Sequence, residues 1–191
     1  MTDRRRTWTI ALLVLALATT GCLARRTPAI QYYTVSLPPP AARTIDAAVT
    51  VDPLTAEPGY TESRMAWRPS PYRVDYATFH RWVASPARML TSVLDDHLGR
   101  AATGSPARRL VVSGNVRRIE AVRTGDENAA VLTLTLIAEL DGARVFARTW
   151  DEREPLTAGD APEDVAAALS VALERIVADL TTAVSAAAAG R

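Results

Sequence analysis

Lysine is absent from this chain, and all 22 basic side chains are arginine, set against 21 acidic ones. So even a balance offers no basic surface, and nucleic acid is not an implied partner. Cysteine is nearly absent: Cys22 is the only one, which rules out an internal disulfide and a multi-cysteine metal centre. Histidine is scarce, with only His80 and His97. Hydrolytic chemistry needs a nucleophile, a base and an orienting group brought together. No G-x-S-x-G pattern occurs, and Ser113-Gly114-Asn115 does not replace it. Asp95-Asp96-His97 reads as the end of a helix, where a histidine is favourable. Gly99, Gly104, Gly114 and Gly125 are scattered rather than gathered into a phosphate loop. The expectation is no enzyme, no metal and no dissociable cofactor.

Long apolar runs are also missing, apart from one short stretch at the start. Arg4, Arg5 and Arg6 form a cationic head, Trp8 to Ala18 is almost wholly apolar, and Thr19-Thr20-Gly21-Cys22 closes the segment with small residues. That pattern reads as a cleaved secretory signal. Its apolar part spans roughly 16 Å as a helix, too short for a bilayer core of about 30 Å. Gly21-Cys22 after an apolar run resembles the lipobox of bacterial lipoproteins, with Thr19 where that motif usually carries Leu. The resemblance implies a diacylglyceryl lipid on Cys22, further acylated (palmitate among the acyl groups), and cleavage just before it. The alternatives are an ordinary signal peptide with an incidental cysteine and, fitting the flanking residues less well, a twin-arginine signal. Leu23 follows the cysteine, where lipoproteins kept in the inner membrane carry Asp, so the resemblance implies the outer membrane, on its periplasmic face.

The expected organisation is residues 1–21 signal peptide, 22–29 lipidated tether and 30–188 one periplasmic domain. The mature chain of about 170 residues is long enough for a real core. Without residues 1–21 the formal charge falls from +1 to about −1. Ile30 to Ser36 is β-branched and aromatic and predicts a first strand, ended by Pro38-Pro39-Pro40. Ala47 to Val51 predicts a second strand, and Leu54 to Thr61 a loop. Glu62 to Arg68 and Tyr72 to Tyr76 predict a hairpin around Pro69-Ser70-Pro71, followed by Thr78 to Val83. Ser85-Pro86 predicts a helix start, with Met89, Leu90, Val93, Leu94 and Leu98 at helical spacing. Arg109–Arg123, Ala129–Leu140 and Ala143–Glu152 predict three long antiparallel strands, with Gly125-Asp126 and Asp141-Gly142 as turns. After Pro162, Val165, Leu169, Leu173, Ile176, Leu180 and Val184 form one apolar stripe of a final helix. The class is α+β: an antiparallel sheet with two main helices on one face.

The lipoprotein signal, then Tyr32-Tyr33-Thr34-Val35, then Arg64-Met65-Ala66-Trp67-Arg68, Tyr72-Arg73-Val74-Asp75-Tyr76 and Arg81-Trp82-Val83 before a helix, is similar to the ABC-type transport auxiliary lipoproteins, the PqiC/YmbA-like group. The resemblance runs from about Gln31 to the last helix. It implies a non-catalytic binding or docking component of a system built from an ABC transporter and Mce-domain proteins, which moves lipids or other hydrophobic molecules between membranes. It implies as partners the membrane, through the anchor, and the Mce-domain and ABC components; phospholipid and an oligomeric assembly stay open. A lipoprotein assisting assembly of another envelope complex is the competing reading. Within the chain, Tyr32, Tyr33, Trp67, Tyr72, Tyr76 and Trp82 either pack the core or line a surface for partner or lipid, where aromatics anchor binding. Arg64, Arg68, Arg73 and Arg81 lie among them, to face anionic headgroups or to pair with carboxylates.

Overall fold

The computed structural model describes residues 28–42, 44–105, 107–125, 127–157 and 161–189; the predicted signal peptide, Cys22 and most of the tether lie outside them. In chain order the elements are β1 (Gln31–Tyr33), β2 (Ala48–Val51), β3 (Thr55–Ala56), a 3-10 turn (Pro58–Tyr60), β4 (Arg64–Ser70), β5 (Arg73–Trp82), α1 (Pro86–Ala101), β6 (Arg109–Thr124), β7 (Glu127–Leu140), β8 (Ala143–Pro155) and α2 (Pro162–Ala189). The eight strands form one sheet in the order β1-β5-β4-β6-β7-β8, with β2 and β3 also paired to β6.

The meander forms as its sequence predicts. In β7 the even positions Leu132, Leu134, Leu136 and Leu140 are buried in the core under the helices. Strand alternation turns the odd positions to the other face. The β7–β8 connection is the tight turn expected of Asp-Gly: Asp141 and Gly142 both have positive φ, at 55° and 79°, as a two-residue hairpin turn requires. Asp141 Oδ1 also accepts the Arg109 amide at 2.8 Å, tying this turn to the start of β6.

The hairpins β4–β5, β6–β7 and β7–β8 are antiparallel, whereas every junction between the N-terminal strands and the rest is parallel. The sheet is therefore mixed. One edge of β6 is taken along its length by β7. The other is shared in turn by β2 (Ala48 opposite Arg109), β3 (Thr55 opposite Asn115) and β4 (Ala66 opposite Glu120). Gly114 lies in this crowded stretch, and a Cβ there would stand 2.1 Å from the Thr135 carbonyl oxygen.

Several boundaries differ from the sequence expectation. Only Gln31–Tyr33 of the first predicted strand forms a ladder, and the segment after it crosses between the helices, with the Ser36 amide donating to Ser170 Oγ at 3.0 Å. Prolines suit that path, which needs no ladder donors. Leu54–Thr61 is not simply a loop: it holds β3 and the turn that buries Tyr60. The hairpin bend is one step later, at Pro71-Tyr72, and Thr78–Trp82 is continuous with the strand from Arg73. Helix α1 passes through His97 to Ala101, and Ser85 has cap dihedrals without a side-chain cap bond.

Both helices cover the same sheet face and share one core cluster. Leu90, Leu94 and Leu98 of α1 are fully buried, as are Leu169, Leu173, Ile176 and Leu180 of α2. Polar residues of α2 clip it to β8: Arg175 pairs with Glu152 at 2.9 Å and Glu154 at 2.8 Å, and the Trp150 indole donates to Asp179 at 2.9 Å. Among the described residues no α-helix lies on the opposite face of the sheet.

Candidate functional site

Helix α2 covers β6, β7 and β8 more fully than β4 and β5, because its first turn starts beside the far end of β6. A groove of about 330 Å³ opens there. Met65 and Trp67 from β4, Ala77 from β5, Ala121 from β6 and Pro162 and Val165 from α2 make it mostly apolar. Its polar members are His80 and Arg123, and the Arg123 guanidinium lies 5.5 Å from the centre of the Trp67 ring, a cation–π distance. A second, more polar groove adjoins it between β1 and α2, lined by Gln31, Tyr33, Glu163 and Ser170 among others. Tyr33 and His80 join the two: their rings lie 5.8 Å apart, the hydroxyl and Nδ1 are 3.1 Å apart, and the Tyr33 hydroxyl donates to Gln31 at 2.7 Å. Chemically this is a recess for an apolar chain or side chain, with one cation and two polar rings at its margins.

The opposite face of the sheet holds a charge network around a carboxylate that is 1% exposed, Glu120. Arg68 binds it with two donors, at 2.8 and 3.1 Å, Tyr60 donates at 2.7 Å, and Arg118 completes the set. Burial pushes the Glu120 carboxyl up, but the bonds from Arg68, Tyr60 and Arg118 outweigh it and hold it below its ordinary value. For Tyr60, burial acts first, then the hydrogen bond to Glu120 and its charge; together they raise the phenol to about 12. The network continues to Asp151, which accepts from Thr133 and Arg153, and on to Glu127. Through Glu120 the cluster joins β4, β6 and the 3-10 turn as a clamp.

The predicted site residues do not gather in one place. Trp67 lines the apolar groove and Tyr33 the groove beside it. Tyr32, which also borders that second groove, is 60% exposed at the sheet edge. Tyr72 projects from the hairpin tip. Tyr76 lies on the uncovered face, under the Arg64 guanidinium, and donates to the Gly59 carbonyl at 2.8 Å. Trp82 is 1% exposed, inside the core. Cys22 lies outside the described residues. Sequence reasoning missed His80 as a groove member and Glu120 as the centre of the network. The available signal for Glu120 was an acid between Ile119 and Ala121-Val122, at a strand position whose neighbours are apolar.

The Asp95-Asp96-His97 triplet is taken up structurally. Asp95 accepts the Val51 amide at 3.3 Å, and Asp96 pairs with Arg100 one turn on. His97 bonds the Pro38 carbonyl, while burial lowers its pKa. Among the described residues no group of three or more His, Cys, Asp or Glu is placed to hold a metal, and no helix is long and apolar enough to cross a membrane.

The crystal structure of a Xanthomonas campestris protein of family DUF330 superposes with a TM-score of 0.59 at 25% identity, covering 82% of this chain and 96% of that one. A second crystal structure, of an uncharacterized protein, gives a TM-score of 0.60 at 12% identity over 78% of this chain and 97% of its own, a likeness of fold. No curated protein matches the chain. Residues 33–181 match the family model described as ABC-type transport auxiliary lipoprotein component, from Tyr33 beside the groove to Thr181 near the end of α2. With that match spanning β2 to β8, α1 and most of α2, the chain belongs to the ABC-type transport auxiliary lipoprotein family.

Proposed function

We propose that the protein is the outer-membrane-anchored periplasmic accessory lipoprotein of an Mce/ABC-type system that moves lipids or other hydrophobic molecules between membranes. It acts without catalysis, as a binding or docking component, and its lipid is a diacylglyceryl and acyl group on Cys22. The observation that carries this reading is membership of the transport auxiliary family over residues 33–181. The Gly21-Cys22 junction after a short apolar run supports the anchor. The apolar groove beside α2 supports docking, because it offers an apolar partner segment a preformed recess of about 330 Å³. A tether of a few residues holds that recess near the membrane and raises its effective concentration toward partners there.

The test is a crosslinking pull-down from native membranes, comparing wild type with Cys22→Ala. Recovery of Mce-domain and ABC components by the wild type alone is the expected result and ties the role to the anchor. Recovery by both forms keeps the transport role and reduces the lipid to a localising device. Recovery by neither overturns the reading in favour of a lipoprotein that assists another envelope assembly.

A further inference from the structure

At its β1 edge the uncovered face of the sheet changes character. Ile30, Tyr32 and Val83 are 43%, 60% and 57% exposed there. Strand alternation puts Ile30 and Tyr32 on the face away from Gln31 and Tyr33. Tyr32 is the register partner of Arg81, and Arg81 in turn is the partner of Arg64 on β4. Two arginines thus stand side by side next to three exposed apolar side chains.

Arg81 differs from its neighbours on this face. Arg68 and Arg118 share Glu120, and Arg153 has Glu127 and Asp151. Arg81 has no ion pair among the described residues, and its Nε is buried without a hydrogen-bond partner. Among the described residues the acid paired with Arg64 is Glu62, itself 65% exposed and well screened. Like charges directly opposite on adjacent strands repel. An anion between the two guanidinium groups would remove that repulsion.

The position of the patch selects the anion. Ile30 belongs to the patch and lies eight residues after Cys22, so a lipid on Cys22 would hold it within about 28 Å of the bilayer at full extension. Exposed aliphatics, a tyrosine, one arginine without an ion pair and a second paired with an exposed carboxylate, all beside a lipid tether, fit the membrane–water interface. There the apolar groups enter the headgroup layer and the guanidinium groups meet phosphates. We propose that the Ile30–Tyr32–Val83 patch, with Arg81 and Arg64, seats the domain edge-on against an anionic phospholipid surface. The proposal rests on the reading of Cys22 as the lipid-bearing residue. It gives the domain a fixed orientation, with the apolar groove beside α2 held near the membrane.

The test uses the full lipidated protein with one fluorescent label at Tyr32→Cys, the native thiol being blocked by its lipid. A second preparation carries the label at Val171→Cys, on the exposed side of α2. Vesicles of phosphatidylcholine, with or without phosphatidylglycerol, contain a quencher attached to the headgroup region. Flotation with the vesicles is measured first, and its failure overturns the anchor itself and the proposal with it. Given flotation, stronger quenching at position 32 than at 171 is expected, with the gap widening as phosphatidylglycerol is added. Arg81→Gln should lower the docked population about fivefold, the effect of one cation near an anionic surface. Equal quenching at the two positions, or indifference to both phosphatidylglycerol and Arg81, would overturn the proposal. So would shielding of position 32 only when periplasmic protein is added, which would assign the patch to a protein partner.

Discussion

Glu120 shows how much one residue can hold. Its carboxylate is the common acceptor for Tyr60, Arg68 and Arg118, so Glu120→Gln leaves the Arg68 guanidinium without its charge partner and Arg118 with only the more distant Asp151. We expect a loss of about 3 kcal/mol in denaturant unfolding, the scale for removing one partner of a buried ion pair. Because the folded carboxyl is held below its ordinary value, its contribution is complete above the unfolded pKa, near 4.5. The contribution fades as pH falls through the lower, folded value. Tyr60, raised to about 12, works in the opposite sense. Its contribution is complete below about pH 10 and is lost as pH rises toward the folded value. Thermal melts across pH should show both flanks in the wild type, and Glu120→Gln should flatten the acid one. Chain spacing alone could not reveal this cluster, since Tyr60 and Glu120 are 60 residues apart and meet only because β4 lies beside β6.

At the scale of elements, periodicity was enough wherever an element carries its own pattern. The leucine alternation of β7 and the three-and-four spacing of α2 each specify a buried face without outside help, and both elements form as expected. Leu173→Ala should therefore cost about 2–5 kcal/mol in chemical denaturation, while Val171→Ala, two residues away and 42% exposed, should leave the midpoint nearly unchanged. The short strands were less legible for a physical reason. β3 has two residues, too few to carry a pattern, and exists because β6 offers it an edge. Gly114 likewise stands in the sequence as one of several scattered glycines, yet neighbouring backbone fills the space where its side chain would be. Gly114→Ala should cost at least about 2 kcal/mol, seen as a lower Tm with the same secondary structure. The aromatics singled out as candidate binding residues were the least legible part of the sequence. Tyr32, Trp67 and Trp82 have similar surroundings in the sequence, but one ends at an open edge, one in a groove and one in the core. Only the sheet order decides which.

The described residues form one sheet and one core cluster, to which both helices contribute. Unfolding should accordingly be a single transition, with far-ultraviolet circular dichroism and tryptophan fluorescence giving the same midpoint; two separated midpoints would mean that the halves are independent. The shared edge of β6 bears on how such a chain is made. Synthesis proceeds from the N-terminus, so β1 to β5 and α1 leave the ribosome before Arg109–Thr124, the strand that β2, β3 and β4 line up against. Until then the hairpin β4–β5 has only the short strand β1 to pair with, and β2 and β3 have no strand to template them. A nascent chain stopped short of β6 is thus a substrate for chaperones and proteases rather than a half-built domain, and one strand translated late decides whether three earlier ones find a place.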